Sequence, residues 1–277
     1  MSDNMISVCA FCKRQSRLTQ EHLFPKSLLE HKKRERKPER SMRFLAKTNK
    51  FLVDTELTIG DVCAVCNNGV LSDLDAYFNE IYKRYICNYV ALGQSKRFTY
   101  DFDRLARWLL KTSYNVARVH NSPDISSLEK CVDFILHGKP KPKGLSIFLL
   151  LVTPHKVKDP MVLQPSLQIK ETKPDVLRVA RNDVYSPNSG KIIFRIVHIN
   201  SYFFLCLVPD QESYRAAYWY RDLKGIKKLY PGIYQLRSNK KDANETSVNV
   251  KGAVDIIKMS EDYTPSVNLK DIFDLIE

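Results

Sequence analysis

Two Cys-x-x-Cys pairs near the start of this 277-residue chain constrain its fold more than any other feature. The four cysteines are Cys9, Cys12, Cys63 and Cys66. Each pair can hold one side of a tetrahedral zinc ion from a tight turn, so two pairs supply a complete set of four thiolates. The pattern therefore predicts a structural Zn²⁺ site. Sites of this kind bind zinc with about 10 to 16 kcal/mol of apparent free energy, enough to organise a module that has a small apolar core.

Disulfide bonds are the alternative use of paired cysteines. The chain has seven cysteines, an odd number, and its first residues lack the charged and apolar regions of a secretory signal. The three remaining cysteines, Cys87, Cys131 and Cys206, fit a reducing compartment. We therefore expect zinc rather than disulfides, and a cytoplasmic location.

A zinc site would bring two polar segments together. Glu21 and His22 lie between the cysteine pairs, and Asn67 and Asn68 follow Cys66 directly. Carboxylate and amide oxygens are hard ligands that suit Mg²⁺ or Mn²⁺, whereas an imidazole titrates near neutral pH and can accept a proton from water. These groups together predict metal-dependent hydrolysis of phosphodiester bonds.

Residues 5–80 resemble the HNH endonuclease family, whose ββα-metal motif is often built on a CxxC...CxxC zinc scaffold. The run Cys66-Asn67-Asn68-Gly69 is similar to the CNN form of the motif found in many bacterial and phage members. The resemblance implies that His22 is the general base and that Glu21 binds the catalytic ion. It also implies that Asn67 is the closing metal ligand on the motif helix, with Asn68 as the alternative.

The chain departs from the family pattern in three ways. Glu21 stands where the family usually has Asp. Fifty residues, 13–62, separate the two cysteine pairs. The central Asn of the motif has no evident counterpart, and Asn49 is only a candidate.

Positive charge favours a polyanionic partner. Lysine and arginine total 44 against 31 acidic residues, a formal net charge of +13. The cations are concentrated at residues 26–50, and the predicted nucleic-acid contacts are Lys32, Lys33, Arg34, Arg36, Lys37, Arg40 and Arg43. Such residues bind phosphates without reading sequence. The alternative is a solvated, partly disordered arm, and both hold if the arm orders only on nucleic acid.

Hydrophobic spacing predicts an α+β fold with an N-terminal zinc-stapled ββα module, then helices and a mainly antiparallel sheet. Ser72 and Asp75 resemble a capping box that starts a helix through Tyr89. Further helices are expected at 102–119, where Trp108 packs, and at 125–136. Strands are expected at 145–152, 176–179, 191–198 and 202–208, with a hairpin turn at Asn200. The predicted domains are 1–95, the nuclease module with its basic arm, and 96–277, for recognition of substrate or partner.

Residues 214–230 interleave aromatic and basic side chains. Tyr218, Tyr220 and Lys224 are examples. Such a segment can stack on unpaired bases and hold the backbone. It is also typical of an amphipathic helix whose aromatic side chains face a sheet, and this second interpretation is favoured.

The leading functional hypothesis is a metal-dependent HNH endonuclease in a phage, mobile-element or antiviral defence setting, with DNA expected over RNA. A noncatalytic zinc module that binds nucleic acid is the alternative, and an RNA-directed nuclease is another. Double-strand cutting by one HNH centre would favour a homodimer or two successive nicks, and a partner protein bound through the C-terminal domain is a further expectation. The longest apolar run, 147–152, is far shorter than the roughly 20 residues of a membrane span, so no membrane partner is expected.

Overall fold

A computed structural model of the chain describes residues 6–35, 42–45, 50–53, 58–91, 93–151, 177–186, 190–229, 232–240, 242–246 and 267–268. The fold is α+β with mainly antiparallel sheets and a cluster of four cysteines near the N-terminus, as the sequence predicts. Asn49 lies outside the described residues, so its proposed role stays a prediction.

The N-terminal part is a three-stranded antiparallel sheet in the order β1-β2-β5. Its strands are β1 (Ile6–Val8), β2 (Gln15–His22) and β5 (Thr58–Cys63). Between β2 and β5 lie α1 (Lys26–Glu35) and a hairpin of β3 (Met42–Leu45) with β4 (Lys50–Val53). The register of β2 against β5 shifts between Thr19 and Glu21: Thr19 pairs with Val62 and Glu21 with Ile59, so β5 carries one extra residue in a bulge opposite Gln20.

A helical segment with a kink at Gly69 follows β5, because the φ of −96° and ψ of −117° at Gly69 are not helical. It comprises α2 (Ala64–Cys66), the kinked stretch Asn67–Leu71, α3 (Ser72–Ile81) and a wide π-helical turn (Tyr82–Ile86). Helix α3 starts at Ser72 as predicted, but the predicted capping box is wrong, because Leu71 and Ser72 already have helical φ and ψ and no side-chain hydrogen bond caps α3. The first piece, α2, is capped by Cys63, whose side chain accepts a hydrogen bond from the Cys66 amide. Tyr89 lies beyond the helical end and is exposed.

The next helix, α4 (Phe102–Val119), has the predicted bounds. Asp101 caps it, its side chain accepting a hydrogen bond from the Arg104 amide at 3.0 Å. Trp108 is buried as predicted and stacks on Phe78, their ring centroids 3.4 Å apart. The predicted single helix at 125–136 is instead two short helices, α5 (Ile125–Glu129) and α6 (Val132–His137).

A six-stranded sheet forms the C-terminal part, in the order β11-β7-β10-β9-β8-β13. Its strands are β7 (Ser146–Leu151), β8 (Leu177–Ser186), β9 (Gly190–Ile199), β10 (Tyr202–Pro209), β11 (Tyr234–Leu236) and β13 (Val267–Asn268). All pairings are antiparallel except that of β13 with β8. A separate pair joins β6 (Ser95–Thr99) to β12 (Asp242–Thr246).

Helices cover the two faces of the large sheet. One face packs on the core that α3 and α4 share with the N-terminal module, so a single apolar cluster runs from Cys9 to Leu236. The other face packs on α7 (Ala216–Leu229) through Trp219, Leu223 and Ile226. The shared cluster includes residues of both predicted domains, and the boundary at residue 95 stays a prediction. None of the helices in the described part of the chain has both the length and the apolar character needed to cross a bilayer.

The predicted hairpin between β9 and β10 is confirmed, and its turn is anchored to the helices. Asn200 has a positive φ of 51°, and its buried side chain donates to the carbonyl oxygen of Ile86 at 2.8 Å. Ser201 accepts a hydrogen bond from the Val90 amide at 3.0 Å. The turn therefore ties the sheet to the end of the helical segment.

Replacing Asn200 tests this anchor. We expect Asn200→Ala to lower the free energy of unfolding by about 1 to 3 kcal/mol, because the Ile86 carbonyl loses its donor and alanine disfavours positive φ. Asn200→Gly should cost less, since glycine tolerates that conformation. Urea denaturation measures both variants. Equal losses for the two would show that backbone strain has no part in the effect.

Candidate functional site

The four cysteines of the two pairs form a compact cluster. Their Sγ atoms all lie within 4.8 Å of one another, and the Sγ atoms of Cys12 and Cys63 are 3.7 Å apart. A zinc ion with Zn–S bonds of about 2.3 Å in a tetrahedron requires Sγ atoms about 3.8 Å apart. The donor set and its spacing therefore fit Zn²⁺, and these four residues would hold it.

Backbone conformation and hydrogen bonds position both cysteine pairs of the cluster. The turn between β1 and β2 closes through a hydrogen bond from the Cys9 amide to the Arg14 carbonyl at 3.0 Å, with Lys13 at a φ of 59°. The Cys63 amide points at the Cys9 Sγ atom, 3.3 Å away. Amide groups aimed at sulfur stabilise thiolate charge, which metal binding requires. Burial raises the pKa of Cys63, but hydrogen bonds from Cys66, Cys9 and Cys12 outweigh it, so the pKa falls to about 7.

A buried ionic cluster lies at the C-terminal end of β2. Glu21 is 3% exposed and Lys111 of α4 is fully buried, with the Lys111 Nζ atom 2.5 Å from Glu21 Oε1. The same Nζ atom is 2.7 Å from Oδ1 of Asp75 on α3. Asp75 also accepts a hydrogen bond from Trp108 Nε1 at 3.0 Å. One ammonium group thus joins a strand and two helices, and we name Glu21, Lys111 and Asp75 the ionic triad.

Burial and neighbouring charges act in opposite directions on the triad. Burial raises the pKa of Glu21 above its ordinary value, and the Lys111 charge only partly offsets this effect. Burial lowers the pKa of Lys111, but the carboxylates of Asp75 and Glu21 outweigh it and raise the pKa overall. Lys111 therefore stays charged, and it compensates two carboxylates at once.

Further polar groups of α4 extend this network. The Asn115 Nδ2 atom donates to Glu21 Oε1 and to the His22 carbonyl oxygen, each at 3.3 Å. Arg118 forms two hydrogen bonds to the Asp61 carboxylate, at 2.8 and 3.1 Å, and one to Asn115 Oδ1 at 3.0 Å. The backbone around Glu21 and His22 is thus held from α4 as well as from β5.

Asn67 holds β2 at Thr19 and Gln20, next to the point where the bulge of β5 shifts the register. Its Nδ2 atom donates to Thr19 Oγ1 at 2.8 Å and to the Gln20 carbonyl oxygen at 3.0 Å. Thr19 in turn donates to the Val62 carbonyl oxygen on β5. The structure therefore brings the Asn67 segment against the Glu21-His22 segment, as predicted. His22 is partly exposed at the strand end, and Asn68 is exposed.

Only some of the predicted nucleic-acid contacts lie within the described residues. Lys32, Lys33 and Arg34 lie on α1 and Arg43 lies on β3, whereas Arg36, Lys37 and Arg40 lie outside the described residues. The side-chain contacts of this basic segment therefore stay a prediction.

The sequence interpretation missed Lys111, Asn115 and Arg118 and assigned Asp75 to helix capping. The capping assignment is wrong, since the Asp75 carboxylate faces Lys111 and Trp108 of α4. A signal for the missed residues was present: these three polar side chains recur at spacings of four and three, which places them on one face of α4.

Glu21 in this arrangement does not fit a ligand for Mg²⁺ or Mn²⁺. It is nearly inaccessible, and a divalent cation beside it would face the Lys111 ammonium group. Asp61 and Asp75 are likewise ion-paired. Among the described residues, the cysteine cluster alone groups three or more metal-binding side chains. A divalent ion at Glu21 would require Lys111 to leave the carboxylate.

Comparison with known proteins finds no match: no protein-family model, no curated protein and no solved structure matches this chain.

Zinc content tests the cysteine site. We expect about one zinc per chain in the wild type and loss of that zinc in Cys63→Ser, because a tetrahedral site loses one of its four thiolates. Elemental analysis of the purified protein measures it. Cys87→Ser is the control and should retain its zinc, since Cys87 is outside the cluster. Zinc retained by Cys63→Ser at the wild-type level would exclude this site.

Removing the Lys111 charge tests the ionic triad. Lys111→Met should lower the free energy of unfolding by about 3 to 5 kcal/mol, because two carboxylates near α4 lose their cation. A folded-state pKa of Glu21 above its ordinary value of 4.5 favours folding at low pH and disfavours it as pH rises through that pKa. Without Lys111 this pKa rises further, so the loss should be greater at about pH 8 than at about pH 5.

Urea denaturation at the two pH values provides the measurement. Lys83→Met is the control, because Lys83 is exposed and its pairing with Glu80 is a surface one. This control should unfold like the wild type at both pH values. A loss in Lys111→Met that does not depend on pH would contradict the account of Glu21.

Proposed function

We propose that this chain is a nuclease that hydrolyses phosphodiester bonds, with DNA as the expected substrate and His22 as the general base. The observation that carries the proposal is the position of His22. It lies at the end of a strand whose antiparallel partner leads directly into a helix, and Asn67 of that helical segment binds the strand beside it. This order of two antiparallel strands and a helix, together with the cluster of four cysteines, supports the resemblance to HNH endonucleases.

The local geometry gives Glu21 and His22 different surroundings. Side chains alternate along a strand, so when Glu21 points at α4, its neighbour points away. Glu21 is buried in the triad, and His22 is partly exposed. A group that takes a proton from water must reach solvent and substrate, which His22 can do. The triad and Asn115 hold the backbone on which His22 is carried.

In this proposal, His22 accepts a proton from a water molecule as that water attacks the scissile phosphorus. The bond from phosphorus to the 3′-oxygen breaks, and the 3′-oxygen takes a proton from solvent water, so the products carry a 3′-hydroxyl and a 5′-phosphate. Cations of the basic segment 26–50 would bind neighbouring phosphates and orient the backbone. A divalent ion is expected from the HNH resemblance, but the ion pair of Glu21 with Lys111 weighs against Glu21 as its ligand.

The same ion pair favours a second candidate function. If Glu21 is purely a structural residue, the module would be a zinc-stabilised nucleic-acid-binding domain without hydrolysis. This candidate predicts salt-dependent binding, no cleavage of DNA or RNA, and no response to added Mg²⁺.

Cleavage assays with wild type and His22→Ala distinguish the two candidates. Supercoiled plasmid, single-stranded DNA and RNA are incubated with Mg²⁺, Mn²⁺ or EDTA. A positioned general base contributes about 10² to 10⁴-fold to the rate, so we expect His22→Ala to lose at least about 100-fold in cleavage while keeping its zinc. The substrate that is cut decides between DNA and RNA, and the EDTA arm decides whether a divalent ion is needed.

His137→Ala is the matched control, because His137 is exposed at the end of α6, outside the candidate site. It should cleave at the wild-type rate. If zinc-loaded wild type binds nucleic acid but cuts none of the substrates, the nuclease proposal fails and the binding candidate is favoured. Equal cleavage by His22→Ala and wild type would remove His22 as the base.

A further inference from the structure

A groove at the β11 edge of the large sheet has the composition of a nucleotide site. It has a volume of about 540 Å³, within the range of about 300 to 1,000 Å³ typical of ligand pockets. The side of α7 that carries Tyr220 and Lys224 forms one wall, and β11 with residues 237–239 forms another. The start of α4 and residues 141–145 complete the lining.

Hydrogen bonds hold the walls of this groove in place. Trp219 of α7 donates its Nε1 hydrogen to the Gly144 carbonyl oxygen at 2.7 Å. Gly144 has a φ of 73°, and a Cβ atom there would lie 2.6 Å from Tyr214, so the close approach of α7 requires glycine. On the other wall, Tyr100 and the backbone of Arg237 form reciprocal hydrogen bonds at 2.9 and 3.1 Å.

The lining carries a strongly positive charge. Four cations contribute to it and no carboxylate does; the cations are Lys141, Lys224, Lys227 and Arg237. Within the part of the chain that the structure describes, Lys141 alone of these four has a carboxylate partner, Asp103 at 2.5 Å. Such a surface attracts anions, because the other three cations act on the same small volume without a carboxylate partner among the described residues.

An exposed aromatic ring lies beside these cations. Tyr220 is 62% exposed, whereas Trp219, its neighbour on α7, is 3% exposed and faces the sheet. The Lys224 Nζ atom lies 4.9 Å from the Tyr220 ring centroid. The favoured sequence interpretation therefore holds for Trp219, while Tyr220 remains available for stacking. Leu145 and Leu223 add apolar surface, and Gln235 and Asn239 add amide groups to the lining.

We propose that this groove binds a nucleotide unit, with the base stacked on Tyr220 and the phosphate held by Lys224, Lys227 and Arg237. An aromatic ring next to cations matches the two parts of a nucleotide, since any base has a flat face and each phosphate is an anion. Free nucleotides and single-stranded nucleic acid share this chemistry. The site is separate from His22, so this inference does not depend on the nuclease proposal.

Binding by the intact chain tests the groove. The probes are ATP and a fluorescent oligothymidylate of about eight nucleotides, titrated at several salt concentrations. We expect Tyr220→Ala to weaken binding at least about fivefold, as loss of one stacked base predicts. Lys224→Ala should weaken binding and lower the slope of log affinity against log salt by about 0.7 for the single strand, because one phosphate contact is lost.

Two neighbours on the same helix are matched controls. Tyr218 is 44% exposed and Arg221 is exposed, but neither lines the groove. Tyr218→Ala and Arg221→Ala should bind both probes within about twofold of wild type. ATP binding that depends on Tyr220 assigns the groove to free nucleotides, and oligonucleotide binding that depends on Tyr220, without ATP binding, assigns it to a strand. The proposal is overturned if neither probe binds, if Tyr220→Ala binds both probes as tightly as wild type, or if the control variants lose as much affinity as Tyr220→Ala.

Discussion

The buried ammonium group of Lys111 is the interaction on which the arrangement of the N-terminal half depends. A lysine in an apolar interior is costly unless its charge is compensated, and Glu21 and Asp75 supply that compensation from two different elements. The requirement works in both directions, since the buried Glu21 carboxylate would be costly without Lys111. Strand β2, helix α3 and helix α4 must therefore meet at one point. The cysteine cluster fixes the other end of β2, where the strand leaves its turn.

Much of the fold follows from local signals. Helix α4 has its predicted bounds because Asp101 gives a strong N-cap and the apolar residues that follow have a clear helical period. The β9–β10 hairpin is equally local, since Asn200 tolerates the positive φ that the turn requires. The failure of the capping box at Ser72 has a physical reason as well. Ser72 is already helical after the kink at Gly69, so it does not act as an N-cap, and Asp75 faces Lys111 and Trp108 instead.

The candidate site was predictable in part. The spacing of the cysteines carries enough information to expect their cluster, because the ligand pattern of zinc is simple. The partners of Glu21 were not predictable from local sequence. They lie on a helix some 90 positions further along the chain, and tertiary packing alone brings them together. Glu21 was therefore interpreted from its neighbour His22, whereas the structure pairs it with Lys111. The burial of Glu21 cannot be deduced from the sequence of β2, because the other residues on the same face of the strand, at positions 15, 17 and 19, are polar as well.

The kink at Gly69 has a consequence for the length of the chain at this point. Gly69 has non-helical φ and ψ, so it joins two helical pieces that point in different directions. Asn67 before the kink faces β2, and Asp75 beyond it faces α4. Deletion of a single residue between Gly69 and Asp75 would turn Asp75 by about 100°, the angle per residue of an α-helix, away from Lys111. The number of residues after the kink thus sets which side chain of α3 faces the core. Insertions and deletions between Cys66 and Asp75 should be excluded among functional variants of this chain, even at positions whose side chains face only solvent.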